Sequence, residues 1–324
     1  MPWAVRLVFA ALAALAALWA AAATAQTYPD RPVRILVAFP PGGAADLVAR
    51  VVGQALSARL GQPVVVENRP GSNGNVAGDL VARATPDGYT LLLGPSALFG
   101  INPHLYAKMP IDPLKDLAPV ASLVSNALFL TESPLLSPKN FKDFIAYAQK
   151  TKPPLLYGSI GNGSEHHLAM ELLKTTAGIE MTHVPYRGGA PAAVGVMGGE
   201  VAAMFGGGSV ATLVLSGKLR GLAISGRKRS PILPDLPSIA EFYPTYDVTL
   251  WQGLFAPVGT PPDVVSRLRT EANAALGEHD VIDKLAAAGA GDPYITTPEE
   301  FAARIRADYV SYGKIISDAG LHVE

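Results

Sequence analysis

The sequence predicts an α/β protein of two lobes, each a mostly parallel sheet flanked by helices. Three observations carry this. Short apolar strands alternate with amphipathic helices from residue 33 onward. The alternation restarts after an extended stretch near residues 120–130. Two glycine-bearing strand-to-helix turns lie roughly a domain apart in the chain.

The elements follow in order. Val33–Phe39 reads as a strand, and Asp46–Leu60 as a helix with Leu47, Val51, Ala55 and Leu60 near one face. Gly61 ends that helix. Val64–Asn68 is the next strand, a loop over residues 69–75 leads to a helix over Val76–Ala84, and Thr90–Gly94 is a third strand. This is βαβαβ, the mark of a parallel sheet with helices on its faces. After the extended stretch Val120–Leu130, helices are expected at Phe141–Lys150, Glu165–Ala177, Ala190–Met197 and Ala211–Ser216. Strands are expected at Leu155–Ser159, Thr182–Pro185, Val201–Phe205, Leu219–Ser225 and Val248–Ala256, and helices from Pro262 onward. Extended crossings near 120–130 and 244–254 divide the chain into a first lobe (26–124 with 250–324) and a second (125–249). Two crossings make a hinge, and the cleft between lobes is where a ligand would bind. The pattern leaves one alternative open: a single large α/β domain whose glycine turns are plain connections.

A chain of 324 residues, 49% hydrophobic and 16% charged, has enough length for about two domains with real cores. A net charge of -1 gives no footprint for nucleic acid or an anionic membrane. The densest cationic cluster, Arg227-Lys228-Arg229, reads as a solvated loop. There are no cysteines, which excludes disulfides, thiol nucleophiles and thiolate metal sites.

The first residues read as a targeting segment. Arg6 supplies the basic end, Leu7–Ala23 is an apolar run, and Ala23-Thr24-Ala25 fits a small-x-small cleavage pattern. Residues 1–25 are thus expected to be removed, with the exported chain starting near Gln26 in the periplasm. A retained membrane anchor is the rival reading.

Four turns concentrate the chemistry. The first is Pro40-Pro41-Gly42-Gly43, ahead of a helix. Glycine turns at helix starts offer backbone N–H groups and the positive end of the helix dipole to an anion. Asp46 is a candidate N-cap, or else a receiver for an amine. The second turn runs from Ser159 through Gly161 and Gly163 to Ser164, with His166 and His167 just inside the helix. Ser164 is either a cap or a ligand contact. The histidines favour packing or hydrogen bonding over catalysis or metal ligation. The third is Tyr186-Arg187-Gly188, whose Arg187 is either a carboxylate partner or a plain surface cation. The fourth is Phe205-Gly206-Gly207-Gly208. Trp251, on the second crossing, is either core or cleft lining. Catalytic templates fail: Tyr157 stands where the first glycine of a nucleophile elbow belongs, and there is no phosphate loop or His-Glu-x-x-His. No cofactor or metal is expected.

These segments together resemble the Bug proteins, the TctC-type substrate-binding proteins of tripartite tricarboxylate transporters. The resemblance rests on Tyr28-Pro29-Asp30-Arg31-Pro32, Pro40-Pro41-Gly42-Gly43, Val66-Glu67-Asn68-Arg69-Pro70-Gly71, Pro86-Asp87-Gly88-Tyr89-Thr90, Gly161-Asn162-Gly163-Ser164, Val184-Pro185-Tyr186-Arg187-Gly188 and Gly253-Leu254-Phe255-Ala256-Pro257. It implies a periplasmic Venus-flytrap fold that captures a small carboxylate between its lobes, held largely by backbone groups. Carried over, it points to Pro41, Gly42 and Gly43 on one lobe, with Ser72 and Ser96 on nearby loops. On the other lobe it points to Ser159, Gly161, Gly163, Ser164 and His167. Members of the family commonly carry Phe-Asp-Asn where this chain has Phe205-Gly206-Gly207. That departure implies a ligand without an ammonium group and an enlarged pocket, with room for a bulky tail. The implied partner is a membrane permease, and the protein a monomer. A ligand sensor for a signalling receptor and, further off, an exported hydrolase remain open.

Overall fold

A computed structural model describes residues 28–321, together with Trp3. The expected targeting segment and its cleavage site lie outside the described residues. Among the described residues no helix is long and apolar enough to cross a membrane.

The strands are β1 (Val33–Val37), β2 (Val64–Asn68), β3 (Thr90–Pro95), β4 (Leu117–Ala127), β5 (Phe129–Glu132), β6 (Leu155–Ser159), β7 (Met181–Pro185), β8 (Ala203–Gly206), β9 (Arg220–Ile224), β10 (Thr249–Pro257) and β11 (Asp292–Pro293). The helices are α1 (Ala44–Leu60), α2 (Asn75–Ala82), α3 (Ser96–Gly100), α4 (Asn102–Leu105), α5 (Pro113–Asp116), α6 (Phe141–Lys150), α7 (Glu165–Ala177), α8 (Gly189–Met197), α9 (Gly208–Leu215), α10 (Pro262–Leu276), α11 (His279–Ala287) and α12 (Pro298–Asp318).

Two sheets form, in the orders β11-β4-β10-β3-β1-β2 and β7-β6-β8-β5-β9. Parallel pairing joins β2, β1 and β3 in the first and β7, β6 and β8 in the second. The rest is antiparallel: β10 with β3 and β4, β11 with β4, and β5 with β8 and β9. The sheets are therefore mixed rather than mostly parallel. The reason is topological. The strands that carry the chain out of one lobe and back run in opposite directions, so they pair antiparallel wherever they lie side by side.

Each sheet has apolar cores on both faces. In the first, Ile35, Val48, Val52, Leu91 and Leu268 fill one side and Leu92, Leu98, Phe255 and Phe301 the other. In the second, Phe144, Tyr157 and Phe205 oppose Ala192, Met204 and Val210. A smaller cluster crosses between the sheets: Leu168 of α7 packs with Ala97, Ile101 and Leu105 and with Tyr312, Ile315 and Ile316 of α12. Full burial of a leucine such as Leu168 favours this seam by about 1.5–3 kcal/mol.

The two crossings meet at one serine. Ser225 Oγ accepts the Leu128 N–H at 2.7 Å and donates to the Val248 carbonyl at 2.6 Å. Its backbone donates to Leu128 O and accepts from Val248 N–H. Leu128 and Val248 sit where the chain enters and leaves the second sheet.

Candidate functional site

The first glycine turn extends the C-terminal end of β1 and leads straight into α1. Residues 40–44 are exposed. Gly42 has φ 82°, a left-handed conformation that suits glycine, and a Cβ there would meet only open space. The N-cap of α1 is Gly43, so Asp46 sits one turn in and is not the cap. Its side chain braces the turn from inside instead. Asp46 Oδ2 accepts the Gly42 N–H at 2.9 Å and Arg50 Nε at 3.0 Å, while Oδ1 accepts Asn68 Nδ2 at 2.9 Å. The Arg50 guanidinium, with the Gly42 and Asn68 donors, holds this carboxyl down at about 2. At 3% exposure it is not placed to receive an amine, because its own turn already surrounds it. The N–H groups of Ala44, Ala45 and Asp46 open the helix and have no carbonyl within it to meet.

A second first-lobe loop carries strain. Gly71, Ser72, Asn73 and Gly74 all have positive φ, and at Ser72 (44°) and Asn73 (53°) this costs about 1–2 kcal/mol each. Asn102 offsets part of that cost. Its Nδ2 donates to Asn75 Oδ1 at 2.7 Å and to Asn73 O at 3.2 Å, and its Oδ1 accepts Asn73 Nδ2 at 3.1 Å. Ser72 is left exposed. Sequence reasoning missed Asn102, which lies in a helix too short to show a period.

Ser96 does not face solvent. It is fully buried, and its Oγ donates to Glu165 Oε1 at 3.1 Å. That bond joins the end of β3 to the start of α7. Burial pushes the Glu165 carboxyl above its usual range, opposed by its hydrogen bonds to its own N–H, Ser96 and the Ala97 N–H. The end of the second turn thus abuts the C-terminal end of β3, and β1 with its glycine turn is the neighbouring strand.

The second turn is more self-contained than its sequence implies. Ser159 is fully buried; its Oγ accepts the Gly161 N–H at 3.0 Å and lies 2.7 Å from His183 Nε2. Gly163 N–H donates to His167 Nδ1 at 3.1 Å. Ser164 is the N-cap of α7: its Oγ accepts the His167 N–H at 3.3 Å and donates to Gly161 O at 2.8 Å. The Gly161 and Gly163 amides are therefore spent inside the protein. Ile160, Gly161 and Asn162 form the outward rim, and Asn162 was not singled out from sequence because the glycines masked it.

The third and fourth turns bring further corrections. The Tyr186 ring packs inside its lobe: a Cβ on Gly195 would lie 2.4 Å from its hydroxyl, and one on Gly158 3.2 Å from its ring. Arg187 is exposed, and among the described residues it has no carboxylate partner. Gly188, with φ 122°, is the N-cap of α8. Phe205 is core, at 0% exposure. Gly206 is buried, and a Cβ there would meet Val210 Cγ1 at 2.5 Å, so Val210 fills the space expected to be open. Room exists one residue on, at Gly207. Trp251 is core, donating Nε1–H to Asp308 Oδ2 at 2.6 Å.

A cavity of about 610 Å³ lies beside the crossings, lined by Asn126, Phe129, Gly208, Arg227, Asp247 and Asp292 among others. It holds no residue of either main glycine turn. Arg227 pairs with Asp247 and Arg229 with Glu241, as a solvated loop would. Among the described residues no group of acidic and histidine side chains could hold a metal.

Two α/β lobes, joined by paired crossings and meeting at the ends of their strands, define a solute-binding protein of the periplasmic type. The family model for the tripartite tricarboxylate transporter family receptor matches residues 48–321, and the chain belongs to that family. It is 36% identical over 299 residues to BugT of Bordetella pertussis, covering 91% of each chain. It is 35% identical over 304 residues to a UPF0065 protein of Pseudomonas sp., covering 91% of this chain and 88% of that one. Among solved structures it is similar to Rhodopseudomonas palustris MatC with bound malate (TM-score 0.75, 30% identity, 89% of this chain and all of the other). It is also similar to R. palustris Rpa4515 with adipate (TM-score 0.81, 34% identity, 91% of this chain and all of the other).

Proposed function

We propose that this protein captures a small carboxylate between a first lobe (26–124 with 250–324) and a second (125–249), and delivers it to a tripartite tricarboxylate-type membrane permease. The observation that carries the reading is the exposed Pro40–Gly43 turn. It presents the unpaired first-turn amides of a 17-residue helix at the strand ends where the lobes meet. The relatives with adipate and malate support a ligand bearing two carboxylates. Asp46 and Glu165 are both committed to internal donors, which favours a ligand without an ammonium group. Contacts to both lobes would favour the closed state. Pro41, Gly42, Gly43 and Ser72 contribute from one side, and Asn162, Arg187 and Gly188 from the other.

The protein acts without turnover. Ser164 Oγ donates to a carbonyl and His167 Nδ1 accepts an amide N–H, so these two form no nucleophile–base pair, and Ser159, which does meet His183, is fully buried. Export with removal of residues 1–25 places it in the periplasm as a monomer.

Thermal-shift titration with adipate, malate, succinate, aspartate and glutamate tests the reading. Plain dicarboxylates should raise the melting temperature and the amino acids should not. Gly43→Asp, which sets a negative charge in the turn, should abolish the shift. Stabilisation by aspartate or glutamate alone, or full binding by Gly43→Asp, would refute it.

A further inference from the structure

The second glycine turn is fastened from behind by imidazoles. His167 Nδ1 accepts the Gly163 N–H, and a ring nitrogen that accepts carries no proton. His167 is therefore neutral, with its proton on Nε2, which lies 3.8 Å from Glu171 Oε1. The His183 ring lies flat on it, centroids 3.8 Å apart and planes 9° from parallel. His183 in turn meets Ser159 Oγ, which holds the Gly161 N–H. Both glycine amides thus end on one stacked pair, one directly and one through a hydroxyl.

We propose that His167, stacked on His183, is a pH-operated positioning residue for the second glycine turn: the neutral ring holds Gly163 inward, and a proton on Nδ1 releases it. The value of that hold for binding rests on the ligand site proposed above.

The surroundings decide the direction. A proton on Nδ1 turns an acceptor into a donor facing another donor, and it charges a ring that lies against a second imidazole. The groups facing His167 are Glu171 and Lys174 from α7, Tyr157 from β6 and His183 from β7. Glu171 favours the charged ring, and its own partners blunt that pull. Lys174 Nζ donates to both its oxygens at 2.8 Å, and the Tyr157 hydroxyl also donates to it. Leu105, Ala319, Gly320 and Leu321 close the far side of the adjoining cavity and bring no side-chain charge. That cavity, about 360 Å³, is lined by both histidines and gives protons a route in. Burial first, then His183, lowers His167 to about 4, and burial lowers His183 as well. The hold is thus intact at neutral pH and lost in acid.

Nitrogen-15 NMR of the imidazoles, with hydrogen exchange at the Gly163 amide, tests this on the wild type and on His167→Asn and His167→Ala. At pH 7.5 the wild type should show the Nε2–H tautomer. Below about pH 5 the Gly163 signal should move on the same titration curve as His167, and its exchange should speed up at least tenfold beyond the intrinsic pH dependence. His167→Asn supplies a non-titrating oxygen acceptor, so its Gly163 signal should stay flat across that range. His167→Ala should exchange fast at every pH; if that variant does not fold, the wild type and His167→Asn decide. An Nδ1–H tautomer at pH 7.5, a Gly163 signal that ignores the titration, or a step that survives in His167→Asn would each overturn the proposal. Protonation of adipate itself weakens binding in acid for both proteins, and adipate affinity should fall at least tenfold further for the wild type than for His167→Asn. If no carboxylate binds at pH 7.5, the ligand reading fails, while the tautomer and amide measurements still decide the role of His167.

Discussion

Gly163 stands at the seam between lobes, and replacing it with alanine gives a direct measure of how tightly the seam is packed. Its φ is 70°, and an added Cβ would lie 2.0 Å from Leu105 Cδ2, with Cγ at 3.3 Å and Cδ1 at 3.5 Å. Two costs follow. Left-handed backbone costs an alanine about 1–2 kcal/mol. Pushing Leu105, 4% exposed, out of its place adds roughly 1–3 kcal/mol of overpacking. The total is about 3 kcal/mol, or roughly 6–12 °C in melting temperature at about 2–4 °C per kcal/mol. Denaturant and thermal unfolding of Gly163→Ala, Leu105→Ala and the double variant form a cycle. Leu105→Ala removes the obstructing methyls, so the double variant should be more stable than the sum of the singles by about 1–3 kcal/mol. The backbone cost should remain in both backgrounds. A Gly163→Ala protein with an unchanged midpoint, or a cycle with no coupling, would refute the packing argument.

Three further outcomes are expected. Arg220→Ala should destabilise the protein in chemical unfolding, and more at pH 8 than at pH 6, because burial already raises the Glu132 carboxyl to about 7 and loss of its 2.9 Å partner makes its ionisation costlier still; an equal loss at both pH values would sink this. Glu165→Gln should raise the unfolding midpoint at pH 8 and Glu165→Ala should lower it. Burial raises the Glu165 pKa, so folding favours the neutral form and stability is lost as pH rises past the unfolded value; a midpoint for Glu165→Gln below the wild type would count against this. Acid should withdraw the contribution of the buried histidines between about 6.5 and about 4, while the buried carboxyls Glu132 and Glu165 act in the opposite sense. His166 and His167 are both lowered to about 4 by burial, so their contribution is whole above the unfolded value and is used up once pH reaches the folded one. A His167→Asn protein that changes stability between pH 7 and pH 4.5 by the same amount as the wild type would contradict it.

The alternation of strands and helices was readable because each element is long enough to show its period. The face of α1 was not. Leu47, Val51, Ala55 and Leu60 read as the inward stripe, and of these Leu60 is buried but the first three are half-buried, while Ala45, Val48, Ala49, Val52 and Leu56 are buried. The cause is Gly53: a Cβ there would lie 3.4–3.5 Å from Val64 and Val66, so the helix rests its small residues on β2. The segment Ser96–Leu105 gave no signal, being buried almost throughout with no polar face to set a rhythm. The glycine turns were visible as turns, and their backbone direction was not. Which amides point out and which in depends on φ signs at Gly42, Gly161 and Gly163 and on whether the side chains of Asp46, Ser159 and His167 turn back onto them. The same applies to Phe205, whose residue type suits a cleft wall and whose neighbours make it core, and to Tyr186, half-buried against Gly158 and Gly195.

Ser225 gives the molecule a particular mechanics. One buried hydroxyl and its own peptide unit tie both passages of the chain together at the same level. Neither passage can slide past the other without breaking bonds to that residue, so they bend as a single strap with one axis. A residue inserted into either passage alone would put the two out of step at that tie.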